Sequence, residues 1–297
     1  MRAVPHTAPT GIAIMASAMM IAPFMDLFAK LATEFVVPGE VALGRFAAQT
    51  LFLIPIVSLV REWAPPKLAH MLAGFFAAIA ILTINTALEV MPIANALAIF
   101  FVEPLILTVL SALVLRERVG WRRMVGVGAG LIGAMVVLRP NVEEYGWAAV
   151  FPLITAFAFA GYMLVLRVMS PGGGRIGMQF WTGATAMAVL SLTLGIGTAA
   201  GVPSLTLTWP NQEVLWLFAA AGALACLTHQ MIAQAMARAE AGALAPLQYL
   251  EIVAATGIGY VVFREFPDHW TLLGTLIIVA SGIYVFHRER LAAGRIG

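Results

Sequence analysis

Charge is scarce in this chain. Of its 297 residues only 11% are Asp, Glu, Lys or Arg, against roughly 25% in an ordinary water-soluble domain, while 61% are hydrophobic. A water-facing surface cannot be assembled from that composition. The formal net charge is +2 and no run of Lys or Arg supplies a stripe for tracking phosphates, so nucleic acid is excluded as a partner. Cysteine is nearly missing: Cys226 stands alone, which rules out an internal disulfide and a cysteine-built metal site. There is no Walker A loop, no His pair at metal-binding spacing and no G-x-S-x-G. No cofactor or metal is called for, and direct ATP drive is excluded.

What the chain has instead is a series of apolar runs, most near the ~20 residues that a helix needs to cross hydrocarbon. Ten spans are predicted, over residues 12 to 32, 39 to 60, 68 to 88, 93 to 115, 121 to 138, 147 to 168, 177 to 199, 214 to 237, 241 to 263 and 270 to 287. Pro38-Gly39, Pro65-Pro66, Pro92, Pro140-Asn141, Pro171 to Gly174 and Pro210-Asn211 punctuate them where turns are needed. The first run continues past Pro23 and Asp26 to Leu31, which suits a retained span better than a cleaved leader. The expected fold class is an all-α integral membrane protein, with the lipid bilayer as its solvent.

With the N-terminus inside, thirteen basic residues fall on the cytoplasmic side: Arg2, Arg61, Lys67, Arg116, Arg118, Arg122, Arg123, Arg167, Arg175, Arg238, Arg288, Arg290 and Arg295. Only Lys30, Arg139 and Arg264 fall opposite. This is the asymmetry of the positive-inside rule, so both termini are expected in the cytoplasm. Basic termini and short loops fit a bacterial inner (plasma) membrane.

Sliding the chain by 148 residues brings unlike residues into register. Glu103 meets Glu251, Arg116 and Glu117 meet Arg264 and Glu265, and Gly126 meets Gly274. Charged residues inside apolar spans are rare enough to make this set informative. Five spans per copy is odd, so the second copy enters the membrane upside down, the plan of many secondary transporters. The expected division is residues 1–140 and 141–297, two inverted five-helix repeats. The stretches from Ala94 to Gly133 and from Ala241 to Gly282, with their Leu-Arg-Glu and Phe-Arg-Glu span ends, resemble the ends of the two repeats in EamA-type members of the drug/metabolite transporter superfamily. That resemblance implies ten helices around a central cavity and transport of a small molecule such as an amino-acid-like, nucleotide-like or vitamin-like metabolite. It does not specify the solute.

A charge at the bilayer centre costs at least ~2.5 kcal/mol. Glu103 and Glu251 each lie about ten residues into their span, roughly 15 Å deep at ~1.5 Å per residue. As a pair they either bind a cationic part of a solute, take up a coupling proton, or satisfy buried groups in helix packing. Gln248, three residues before Glu251, is expected on the same helix face as an orienting donor. Asp26 and Lys30 have the spacing of an intrahelical ion pair, with Lys30 able to snorkel outward. Arg45 is within snorkelling reach of the outer surface, and if it turns inward Asp26 or Glu103 is the expected partner. Asn85 and His229 complete the candidates, each with a helix-to-helix hydrogen bond as the plainer reading. Gly128-Ala-Gly130-Leu-Ile-Gly133 matches a dinucleotide fingerprint but lies inside a span, without the strand that motif requires, and reads as a helix-packing seam.

The leading expectation is thus a secondary transporter working by alternating access. The alternatives are a channel, a receptor and, less favoured, an intramembrane enzyme: the enzyme would need a catalytic constellation that is not found here, inverted repeats argue against a receptor, and a channel stays open on sequence alone. Saturable, counterflow-accelerated flux separates a carrier from a pore. Oligomeric state is not legible.

Overall fold

The computed structural model describes residues 8–63, 65–114, 121–169, 175–239 and 244–293. Arg2, the Arg116-Glu117-Arg118 span end, the Pro171 to Gly174 turn and Arg295 lie outside the described residues, as do the side chains of Arg122, Arg123, Arg167, Arg175 and Arg290. Among the described residues there is no strand. The chain forms α1 (Ala8–Ile21), α2 (Pro23–Thr33), α3 (Pro38–Val60), α4 (Leu68–Leu88), α5 (Ile93–Phe100), α6 (Glu103–Val114), α7 (Trp121–Tyr145), α8 (Phe151–Met169), α9 (Arg175–Ala199), α10 (Gln212–Arg238), α11 (Leu250–Ile258) and α12 (His269–Ala293). A 3-10 turn, Ala245–Tyr249, leads into α11, and a π turn, Gly259–Phe263, ends that crossing.

Nine helical stretches among the described residues are long and apolar enough to cross a membrane. The longest, Met124–Leu166, has 43 residues, or roughly 65 Å of helix, twice the ~30 Å hydrocarbon core. It cannot be one crossing. The chain reverses at Gly146, whose φ of 62° is open to glycine without a Cβ penalty, and α7 then packs on α12 while α8 packs on α4. The expected turn at Pro140-Asn141 is therefore a correction: the helix runs through residue 140 to Tyr145. Asn141 holds it there, donating to the Val137 carbonyl (2.7 Å) and to Thr271 Oγ1 (3.3 Å) and accepting from Asn95 Nδ2 (2.8 Å).

Burial follows the solvent that the composition demands. Leu51, Leu59, Leu192, Ile196 and Leu276 are exposed on outward faces, which would be an aggregation surface in water and is an ordinary surface in lipid. Trp63 and Trp121 stand exposed near one end of the bundle, Trp147, Trp209 and Trp270 near the other, as aromatic belts do at the two interfaces. The main core is built where α4, α5 and α6 meet α8, α11 and α12, around Leu88, Met91, Ile93, Ile99, Leu105 and Ile278.

The glycines of α7 form a packing seam, as their sequence context implied. A Cβ on Gly133 would meet the Gly274 carbonyl of α12 at 3.0 Å, so only small residues let these helices approach. Gly128 faces open space.

Candidate functional site

Three crossings are broken, and each break has the same local cause. Pro23, Pro104 and Pro246 lack the N–H that would continue the helical ladder. α1 stops at Ile21 before Pro23, α5 gives way to α6 across Phe101 and Val102 just before Pro104, and Pro246 sits in the 3-10 turn ahead of α11. Each new helix begins with an acid: Asp26 in the first turn of α2, Glu103 at the start of α6 and Glu251 in the first turn of α11. A helix N-terminus carries partial positive charge and favours an anionic neighbour. Interrupted helices of this kind are where transporters place their ligands.

Asp26, Arg45 and Glu251 come together from α2, α3 and α11. Arg45 turns inward and is buried rather than snorkelling, in electrostatic reach of both Asp26 and Glu251; Asp26 and Glu251 also feel each other. Arg45 has Glu251 rather than Glu103 as its second acid. The guanidinium is poorly satisfied. Its Nη2 donates to Met25 Sδ at 3.8 Å and its Nε, buried, has no partner. Neither carboxylate closes an ion pair with it among the described residues. A planar cation with spare donors, flanked by two acids at longer range, is a site with room in its hydrogen-bonding capacity.

Gly222 of α10 permits this convergence, because a Cβ there would meet Gln49 N of α3 at 2.7 Å. The close approach of α3 and α10 also brings His229 into electrostatic reach of Arg45. His229 itself has Nδ1 at 2.6 Å from the Ala225 carbonyl one turn earlier. It borders the cluster.

Glu103 is elsewhere. It is buried, one carboxyl oxygen has no hydrogen-bond partner, and the group whose titration it influences is Tyr249. The Tyr249 hydroxyl is likewise buried and unpartnered, lying where a Cβ on Gly282 would be. Sequence symmetry paired the two glutamates; the packing gives them different surroundings.

The remaining candidates divide. Gln248 lies in the 3-10 turn and makes no hydrogen bond to Glu251 among the described residues, so the expected orienting contact is not formed. Asn85 is fully buried on α4 with both side-chain polar atoms unpartnered. Lys30 neither snorkels nor pairs with Asp26: it is buried and bonds Glu265 at 2.9 and 3.0 Å. The signal missed in the sequence was the spacing of Pro23, Pro104 and Pro246 from the acids, which marks broken helices inside spans.

A bundle of apolar, interrupted helices enclosing a small charged cluster defines an integral membrane carrier. Comparison with known proteins agrees. Residues 9–139 match the EamA-like transporter family. A riboflavin transporter of Vibrio cholerae is 30% identical over 222 residues, 74% of this chain and 72% of its own length. An S-adenosylmethionine uptake transporter of Rickettsia bellii is 26% identical over 261 residues, 86% of each chain. A solved crystal structure shares the fold with a TM-score of 0.64 at 19% identity, covering 96% of this chain and 99% of the other. The chain belongs to the EamA-like transporter family; it is a secondary transporter of small metabolites and not an enzyme.

Proposed function

We propose that this carrier moves a zwitterionic or cationic metabolite by alternating access, with Asp26, Arg45 and Glu251 as its central binding site. The observation that carries the reading is the buried, unpartnered Nε of Arg45 between two acids. Arg45 offers donors to a carboxylate or similar anion, and Asp26 and Glu251 offer charge to an ammonium or sulfonium. The three side chains sum to a formal charge of −1, which favours a solute of net +1. S-adenosylmethionine, the solute named for the Rickettsia relatives, has that charge pattern: one carboxylate, one ammonium and one sulfonium. Riboflavin, named for the Vibrio relative, is uncharged at neutral pH and would meet the cluster through hydrogen bonds alone.

Glu103 and Glu251, each just after a break, stand 148 residues apart, and α7 packs on its counterpart α12; both support two inverted repeats that rock around the site, with their boundary at the Gly146 reversal rather than at residue 140. The basic residues at the α3 to α4 turn and at the end of α10, Arg61, Lys67 and Arg238, support cytoplasmic termini in a bacterial plasma membrane. The test is uptake of radiolabelled S-adenosylmethionine and of riboflavin into proteoliposomes. Saturable uptake of the first, accelerated by the same compound inside and lost in Glu251→Gln, supports the reading. Uptake of riboflavin alone, unaffected by Glu251→Gln, overturns it.

A further inference from the structure

Lys30 ties together three stretches of chain that are far apart in sequence. Its ammonium donates to both carboxylate oxygens of Glu265, at 3.0 and 2.9 Å, and to the Met91 carbonyl at 3.0 Å. It also lies 4.6 Å from the centroid of the Phe263 ring, within the range of a cation–π contact. Met91 is in the turn between α4 and α5, and Phe263 and Glu265 end the crossing that contains α11. Glu265 is held in place by a tight turn: Arg264 has a φ of 60°, and the Glu265 N–H donates to the Gly259 carbonyl at 3.1 Å.

The α1 half of the first crossing, which Lys30 shares, packs in another way. There α1 packs against α10 and the 3-10 turn through Met15, Ala18, Met19, Ala235 and Leu244, all apolar. The α2 half of the first crossing is held by charge, the α1 half by hydrocarbon contacts without directional bonds. Between them lies the break at Ala22 and Pro23, which separates α2 from α1. α2 has 11 residues, about 16 Å of rigid rod, and carries Asp26 and Lys30 one turn apart on one face.

We propose that Lys30 and Glu265 form the gate of the transport path at the face opposite the termini, with α2 linking it to the site. This rests on the carrier reading. With the pair closed, α2 is locked against the end of the crossing that supplies Glu251. When α2 tilts at the Ala22–Pro23 break, Lys30 leaves Glu265 and the Met91 carbonyl, and its ammonium finds Asp26 one turn away. A solute cation bound to Asp26 occupies that alternative partner and returns Lys30 to Glu265. Occupancy of the site thereby closes the gate behind the solute.

The gate is tested first in the absence of solute and then with it. In a Cys226→Ala background, Met91→Cys is placed beneath the pair, and its reaction with a membrane-impermeant maleimide is timed in lipid nanodiscs. Glu265→Gln should speed labelling at least tenfold, and Lys30→Met, which removes the ammonium from the other side of the pair, should do the same. Monodispersity and melting temperature, measured in parallel, separate opening from unfolding. Adding S-adenosylmethionine to the protein that retains Glu265 should slow labelling further, and Asp26→Asn should remove that effect. Equal labelling rates with and without the Glu265→Gln substitution, in proteins that remain folded, would overturn the gate. A labelling response to Glu265→Gln with no saturable uptake of either probe would leave the gate in place and count against the carrier site instead.

Discussion

Phe101 and Tyr249 pack ring against ring with centroids 5.4 Å apart, so that the break between α5 and α6 touches the turn that leads into α11. The two glutamates that follow these aromatics share a sequence pattern but not an environment. Glu251 sits with Arg45 and Asp26, whereas Glu103 has Tyr249.

That difference predicts unequal effects of the same substitution. On the proposed site, Glu251→Gln should remove a charge-assisted contact to a cationic solute, worth about 1.5 to 3 kcal/mol, or roughly 10- to 150-fold in affinity. Glu103→Gln keeps the shape of a buried side chain that has no charged neighbour and should change affinity by less than about threefold. Isothermal titration with S-adenosylmethionine measures both, and equal losses would show that Glu103 belongs to the binding cluster after all.

Arg45→Gln should abolish recognition of the anionic end of the solute and also leave Asp26 and Glu251 facing each other without a cation. Uncompensated buried charge is costly, so this variant should melt well below the parent protein. The double variant Arg45→Gln with Glu251→Gln should recover part of the melting temperature and none of the transport. Recovery of transport would place the anion-binding group elsewhere.

Gly282→Ala puts a methyl group onto the Tyr249 ring and hydroxyl. Overpacking of this kind costs about 1 to 3 kcal/mol, and here it must move a ring that also touches Phe101. We expect a lower melting temperature in detergent, partly recovered by adding Tyr249→Leu, which removes the colliding ring. An unchanged melting temperature would mean that Tyr249 has another place to go.

Asn141 works through helix packing alone. Asn141→Leu leaves the buried Asn95 Nδ2 without its present partner, a loss costing about 1 to 3 kcal/mol, and removes the side-chain bonds to the Val137 carbonyl and Thr271 Oγ1. Stability should fall while uptake per folded molecule stays at the parental value. A selective loss of uptake would instead place the Asn95–Asn141 pair on the transport path.

The crossings themselves were readable because the bilayer imposes a length and a polarity on each helix, and both are properties of consecutive residues. The misplaced turn at Pro140 shows the limit of that reading. Proline marks a place where the ladder loses one bond, but whether the helix ends there depended on Asn141 finding Asn95 and Thr271 on other helices. The glycine motif of α7 was readable as packing because its context lacked a strand, and the seam with α12 agrees.

The ionisable residues divide along the same line. That Asp26, Arg45, Glu103 and Glu251 are candidates followed from their presence in apolar runs, since charge there is expensive. Which of them work together did not follow. A spacing of four offered Lys30 to Asp26, and symmetry offered Glu103 to Glu251; in the fold Lys30 bonds Glu265, 235 positions away, and Glu251 joins Asp26 and Arg45. Chain composition and hydropathy alone determine that this protein lives in a membrane and crosses it many times. The choice of partner among buried charges is a three-dimensional matter, because in a low-dielectric interior it is the nearest compensating group that decides, and nearness there is set by how helices cross.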